Sequence, residues 1–250
     1  MTDIWAEVGG EQYIASMMAT IHRVVEDQEN VATLSLVNNI EEQGVLEDLL
    51  EQSKPKKPEG YDALYYLLIT PFRYPPLQYG SRFGSSFEPS LFYGSLNIST
   101  ALAETAYYRF VYLSGMKEAY AKPVLMTYSS YTVSIRADRS IFLDNKPFNI
   151  FENIMTSPNN YNDTQILGDS MRSAKVEAFQ YISARDPEQG KNIALFSPKV
   201  FQSKKPINIE RWICNITHEE IGFLSHNNQK KLRFDKRSFL VDGVIPTPAC

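Results

Sequence analysis

The stretch AFQYISARDPEQGKNIALF, Ala178 to Phe196, holds two short runs of apolar and aromatic residues separated by a segment carrying Pro187 and Gly190. It reads as strand, turn, strand, with no room for a helix between. The same texture continues downstream in Ile207 to Thr217 and Lys231 to Val241, and upstream in Tyr65 to Ile69, Leu91 to Tyr93 and Val124 to Ile135. Strictly alternating strands and helices would indicate a parallel doubly wound sheet, whereas strands following strands indicate an α+β fold.

Two helices are expected to interrupt these strands. One runs from about Ser99 to Leu113, with Ser99 as N-cap and Gly115 as its stop; the other spans roughly Asp163 to Lys175, with Gly168 inside it. Before the strands, residues 11 to 28 place Ile14, Met17, Met18, Ile21, Val24 and Val25 at helical spacing, which predicts an amphipathic helix with His22 at the edge of its polar face. Leu34, Val37 and Ile40, then Val45, Leu46, Leu49 and Leu50, predict one or two more helices, joined near Gly44. SKPKKPEG, Ser53 to Gly60, breaks the pattern, because prolines remove backbone donors and lysines favour solvent. The predicted organisation is a helical extension and linker over 1–60 and a main domain over 61–250.

Composition narrows the function classes. The 250 residues carry 25 basic and 29 acidic side chains, a formal charge of −4, so no global field favours polyanions. A basic run from Lys230 to Arg237 around Phe234 has two readings, a phosphate-and-base contact or a solvated strand edge guarded by lysines. Cys214 and Cys250 are the only cysteines, which excludes a disulfide framework and a four-thiolate zinc site. His22, His218 and His226 are the only histidines, without HExxH or CxxC, so no metal site is expected. The spacing of Gly80 and Gly84 is neither a Rossmann nor a P-loop fingerprint, and no GxSxG elbow occurs. The acidic beginning MTDIWAEVGGEQ is the reverse of a secretory signal, and the longest apolar stretch, Ala63 to Phe72, is far shorter than the roughly 18 residues a bilayer span needs. A cytoplasmic protein without a membrane partner is expected.

The chemistry concentrates in FRYPPLQYGSRFGSSFEPSLFYGSLNISTALAETAYYRF, Phe72 to Phe110. Arg82 lies between glycines that let the backbone turn tightly, where a guanidinium can clamp a diphosphate. Tyr93 closes a short apolar strand. Glu104 sits inside the apolar helix ALAETAYY, either exposed or buried with a purpose, since an unpaired buried carboxylate is costly.

GSRF at Gly80 to Phe83, LFYGS at Leu91 to Ser95, ALAE at Ala101 to Glu104, and FQYISARDPEQGKNIALFSP at Phe179 to Pro198 stand in the order seen in the RES-domain family, which this chain resembles over about residues 70 to 200. The resemblance implies Arg82, Tyr93, Glu104 and Ser183 as the family's functional arginine, tyrosine, glutamate and serine, with Arg73 as a looser match. Where the family commonly has tryptophan and then asparagine after its arginine, this chain has Phe83 and Gly84. The resemblance implies the fold of an ADP-ribosyltransferase core, a split, mixed, largely antiparallel sheet, with NAD as substrate and no resident cofactor. It implies NAD breakdown by water or inorganic phosphate, toxin action, and a cognate helix-turn-helix antitoxin of the Xre type, with no direct nucleic-acid contact.

In such a site Glu104 would stabilise an oxocarbenium-like ribose, Arg82 with Arg73 would hold the diphosphate, Tyr93 would stack on nicotinamide or ribose, and Ser183 would hydrogen-bond the ribose or the amide. Arg185, Arg109 and Lys191 are the candidates for a second, phosphate-binding pocket. Transfer of ADP-ribose to a protein, and a non-catalytic nucleotide- or partner-binding module, are the competing readings.

Overall fold

The computed structural model of the chain describes residues 2–27, 36–118, 120, 122–227 and 229–247; Gln28, Leu34 and Cys250, named above, lie outside them. Its helices are α1 (Ile4–Val8), α2 (Ile40–Ser53), α3 (Tyr66–Arg73), α4 (Ile98–Ser114), α5 (Glu152–Met155) and α6 (Asn162–Ser173). Its strands are β1 (Ala15–Glu26), β2 (Phe92–Ser95), β3 (Val124–Phe142), β4 (Ala178–Ile182), β5 (Lys191–Leu195), β6 (Ile207–Ile216), β7 (Glu220–Ser225) and β8 (Lys231–Asp235). The class is α+β, with one mixed, mostly antiparallel eight-stranded sheet in the order β1-β2-β5-β4-β3-β6-β7-β8.

β3, with 19 residues, is the spine of this sheet. Its first half pairs with β6, its end runs parallel to β4 from Ser140 to Phe142, and β1 lies antiparallel along it from Tyr128 to Ser140. Because β1 also meets β2 at His22 and Ser95, the strands β1, β2, β5, β4 and β3 close into a ring, and β6, β7 and β8 continue from it as an open wing.

Three apolar clusters follow from this arrangement. Met17, Ile21, Phe92, Tyr131, Val133, Ala178, Ile193 and Leu195 share one cluster with Leu68 of α3. Phe179, Tyr181, Ala194 and Phe196 point the other way, onto Leu167 and Met171 of α6 and Ile4 of α1. β4 and β5 are therefore packed on both faces, which is why their sequences are mostly apolar, Gln180 and Asn192 being buried polar exceptions. The third cluster packs Leu102, Ala106, Tyr107, Phe110 and Leu113 of α4 against Tyr128 of β3 and Trp212, Cys214, Ile221 and Phe223 of the wing. Burial there pushes the Cys214 thiol up to about 12, so it is a packing residue and not a nucleophile.

Four expectations need correction. Residues 15–26, expected as helix, form β1, so the N-terminal segment contributes a strand to the sheet beside its helices α1 and α2. The apolar residues of this segment satisfy both periods: Met17 and Ile21 are buried while Met18 and Thr20 are exposed, a two-residue alternation, and pairing with β3 decides the outcome. Tyr65–Ile69, expected as strand, begins α3, whose Leu68 and Ile69 are its buried face. The strand expected over Lys231–Val241 ends at Asp235, whose side chain caps a 3-10 turn by accepting from the Arg237 amide. β7 was not anticipated, because Gly222 and the flanking polar residues mask its alternation. α2 runs through Gly44 as one helix and buries none of its residues. No helix among the described residues is long and apolar enough to cross a membrane.

Tyr128 and Tyr131 of β3 are fully buried, and burial pushes both hydroxyls up to about 12. Between the ordinary tyrosine value and that figure the unfolded chain ionises while the folded chain keeps its protons, so stability falls as pH rises. Urea midpoints should be lower at about pH 11 than at about pH 9. Equal midpoints would show that neither hydroxyl is protected from ionisation.

Candidate active site

The loop before β2 is built for a tight turn. Gly80 has φ +72°, and a Cβ there would lie 2.2 Å from the Gly84 carbonyl oxygen, so only glycine fits. The Ser81 amide donates to that same carbonyl at 2.7 Å. α6 grips the loop from behind: Gln165 Nε2 donates to the carbonyls of Tyr79 and Ser81 at 2.9 and 3.0 Å. Gly168 permits this approach, since a Cβ on it would meet the Phe83 carbonyl oxygen at 2.0 Å. Phe83 itself is buried edge-on against Phe179 and Tyr181, so the aromatic after the arginine anchors the loop in the core.

Arg82 extends from this anchored loop. Its Nη1 donates to the carbonyls of Met155 and Ser157 at 2.9 and 2.8 Å, and its guanidinium lies 4.5 Å over the Tyr161 ring. Nη2 is buried without a partner. Desolvation lowers the guanidinium from its ordinary value, opposed by Tyr161 and assisted by the nearby charge of Arg185.

Tyr93 hangs from β2 with its hydroxyl 2.8 Å from Ser81 Oγ and accepting from the Phe83 amide at 3.4 Å. Its carbonyl accepts from Arg23 Nη1 of β1 at 3.0 Å, which ties the first strand of the chain to the site. Burial pushes the Tyr93 hydroxyl up to about 12, so it stays protonated at neutral pH.

Glu104, on α4, meets the ends of β4 and β5. Ser183 Oγ and Asn192 Nδ2 both donate to Glu104 Oε1 at 2.6 Å, and Ser95 Oγ donates to Asn192 Oδ1 at 2.6 Å. Ser183 Oγ in turn accepts from the amides of Arg185 and Asp186 at 3.2 and 3.1 Å. The carboxylate is thus fixed through one oxygen, while Oε2 has no hydrogen-bond partner and Glu104 no basic partner among the described residues.

One cavity of about 370 Å³ collects these groups, within the range of about 300–1,000 Å³ usual for small-molecule sites. It is lined by Arg82, Tyr93 and Glu104, and by Tyr161, Tyr181 and Arg185. Ser183 is buried, is not among the lining residues, and touches the site through its hydrogen bond to Glu104. Arg73 lies elsewhere, bonded to Glu51 at 2.7 Å and to the Pro55 carbonyl. Of the three candidates for a further anion contact, Arg185 lines the cavity, whereas Arg109 is paired with Glu26 and Lys191 with Asp144 at 2.7 Å. Phe234 packs against Phe223 and Phe239, which occupies the ring that base stacking would need and supports the strand-edge reading of the basic run. No cluster of three or more metal-ligating side chains occurs among the described residues.

Asn192 and Tyr161 were missed from sequence. Asn192 had a signal, a fully buried amide inside the apolar run NIALF. Tyr161 had none, because its loop SPNNYND reads as surface turn.

A family model described as RES domain matches residues 59–216. No curated protein matches the chain. Among solved structures, a chain in the crystal structure of the M.tuberculosis MbcT-MbcA toxin-antitoxin complex is similar at 9% identity, TM-score 0.46, over 87% of this chain and 94% of that chain.

Helix propensity alone makes Gly168→Ala stabilising by about 1 kcal/mol. Contact with the Phe83 carbonyl reverses the sign, and the expected result is destabilisation by about 1–3 kcal/mol in denaturant unfolding. A stabilised variant would mean that α6 does not clamp the arginine loop.

Proposed function

The chain belongs to the RES domain family, and from that membership and the cleft described above we propose that it degrades NAD by cleaving the bond between nicotinamide and ribose. The observation that carries the reading is Glu104, held by Ser183 and Asn192 through one oxygen and lining a cavity that two buried arginines also line.

Cleavage of this bond builds positive charge on the ribose anomeric carbon while the pyridinium ring becomes neutral. A carboxylate fixed before the reaction stabilises that charge without reorganising, and its advantage is greatest where water is excluded. Ser183 and Asn192 hold Glu104 in one rotamer. Neutral nicotinamide leaves without a strong general acid, so the lack of a histidine in the cavity is consistent with the chemistry. Tyr93, protonated, keeps the arginine loop in place through Ser81 and offers its ring as one wall for nicotinamide or ribose.

The acceptor that takes up the ribosyl cation is water or inorganic phosphate, giving ADP-ribose or its phosphorylated form. Draining NAD makes such an enzyme toxic in the cytoplasm where the cofactor is used, and a cognate helix-turn-helix antitoxin is the partner that this family membership suggests.

Purified protein incubated with NAD, with and without inorganic phosphate, and resolved by chromatography and mass spectrometry, is the test. Free nicotinamide together with ADP-ribose or its phosphorylated form supports the proposal; NAD intact in both tubes, or nicotinamide released with the ADP-ribose carried on protein, rejects it. Glu104→Gln should lose about 100 to 1,000-fold in rate, equivalent to about 3–4 kcal/mol, with the fold retained. An unchanged rate in the folded variant would remove Glu104 from the mechanism.

A further inference from the structure

Two guanidinium groups share this cavity, and each keeps one buried N–H without a partner: Nη2 of Arg82 and Nη1 of Arg185. Both residues are more than nine-tenths buried, at 9% and 6% exposure. Tyr161 stands between them, its ring beneath Arg82 at 4.5 Å and its hydroxyl accepting from Arg185 Nη2 at 2.8 Å. On its other side Arg185 lies 4.2 Å over the Tyr107 ring. All of these contacts orient the cations, and none of them neutralises one.

Neither arginine makes a salt bridge among the described residues. The neighbouring carboxylates are committed elsewhere: Asp186 accepts from the amides of Glu188 and Gly190, and Glu104 is held by Ser183 and Asn192. Guanidinium groups do not escape such a site by losing a proton, so two like charges remain buried side by side. An arrangement of this kind is stable in company with an anion that takes up both free donors.

We propose that Arg185 is the second arm of a two-arginine oxyanion clamp, with Arg82 as the first and Tyr161 as the spacer that sets their separation. The chemistry recognised is a multiply charged phosphate oxyanion. Resting on the reading above, its natural occupant is the diphosphate of the dinucleotide; free inorganic phosphate offers the same oxygens and is the alternative source. Planar guanidinium groups held by aromatic faces suit this task, since bidentate donation needs a fixed plane.

The test compares binding of ADP-ribose, adenosine, inorganic phosphate and pyrophosphate to the intact chain and to Arg185→Gln by titration calorimetry. Pyrophosphate should displace ADP-ribose from the parent chain, and Arg185→Gln should bind ADP-ribose about ten- to a hundredfold more weakly while adenosine binding is unchanged. A folded Arg185→Gln that binds both ADP-ribose and inorganic phosphate as tightly as the parent overturns the clamp. Phosphate binding that requires Arg185 but is not displaced by ADP-ribose supports the clamp and assigns it to free phosphate.

Should Arg185→Gln fail to fold, the parent chain still decides. Its thermal midpoint rises with pyrophosphate at constant ionic strength if the clamp exists, and an unmoved midpoint overturns it. The two proposals fail separately. NAD left intact by a chain that binds pyrophosphate through Arg185 defeats the cleavage reading alone, whereas NAD cleaved by an Arg185→Gln variant that binds ADP-ribose and inorganic phosphate as the parent does defeats the clamp alone.

Discussion

Glu104 Oε1 accepts two hydrogen bonds of 2.6 Å, from Ser183 at the end of β4 and from Asn192 in β5, and this one oxygen joins α4 to the strands of the closed ring. A buried carboxylate without such donors is costly, and donors without the carboxylate are nearly as costly. Helix, strand end and site are therefore mutually dependent. Glu104 has its charge near the cavity because Ser183 and Asn192 hold it there, and Asn192 is oriented in turn by Ser95 of β2.

The cavity divides its electrostatics by element. The carboxylate comes from α4, while the cations come from the loop before β2 and the turn after β4, separated by aromatic rings instead of by counter-ions. Tyr161 and Tyr107 give the guanidinium groups a favourable face without cancelling their charge. A ligand with a positive centre developing at one end and negative oxygens at the other matches that polarity in one orientation.

How much of this was legible depended on whether a residue's partner was near in sequence. β4 and β5 were readable because strands buried on both faces leave mostly apolar runs, and α4 because a long apolar segment ends at Gly115. Arg82, Tyr93 and Glu104 were readable through their motifs, and the cavity brings the three together. β1 was not, because Met17 and Ile21, four residues apart, fit both the helical and the strand period, and pairing with a distant strand decides between them. Arg73 stands near the motif region but ends in a contact with Glu51, and Ser183 turned out to support a carboxylate from behind. Nothing local distinguishes a serine that faces a cavity from one that lies a layer beneath it.

The family model begins at residue 59, yet the strand that closes the ring, β1, lies before that point, and β7 and β8 lie after residue 216. On a ribosome, β1 emerges early and waits for roughly a hundred further residues before β3 exists to receive it, a long loop whose closure costs entropy before the pairing rewards it. Until then the carbonyl of Tyr93 has no Arg23 to accept from, and the arginine loop has no fixed base. A chain of this topology acquires its cleft late, after most of its length has been made.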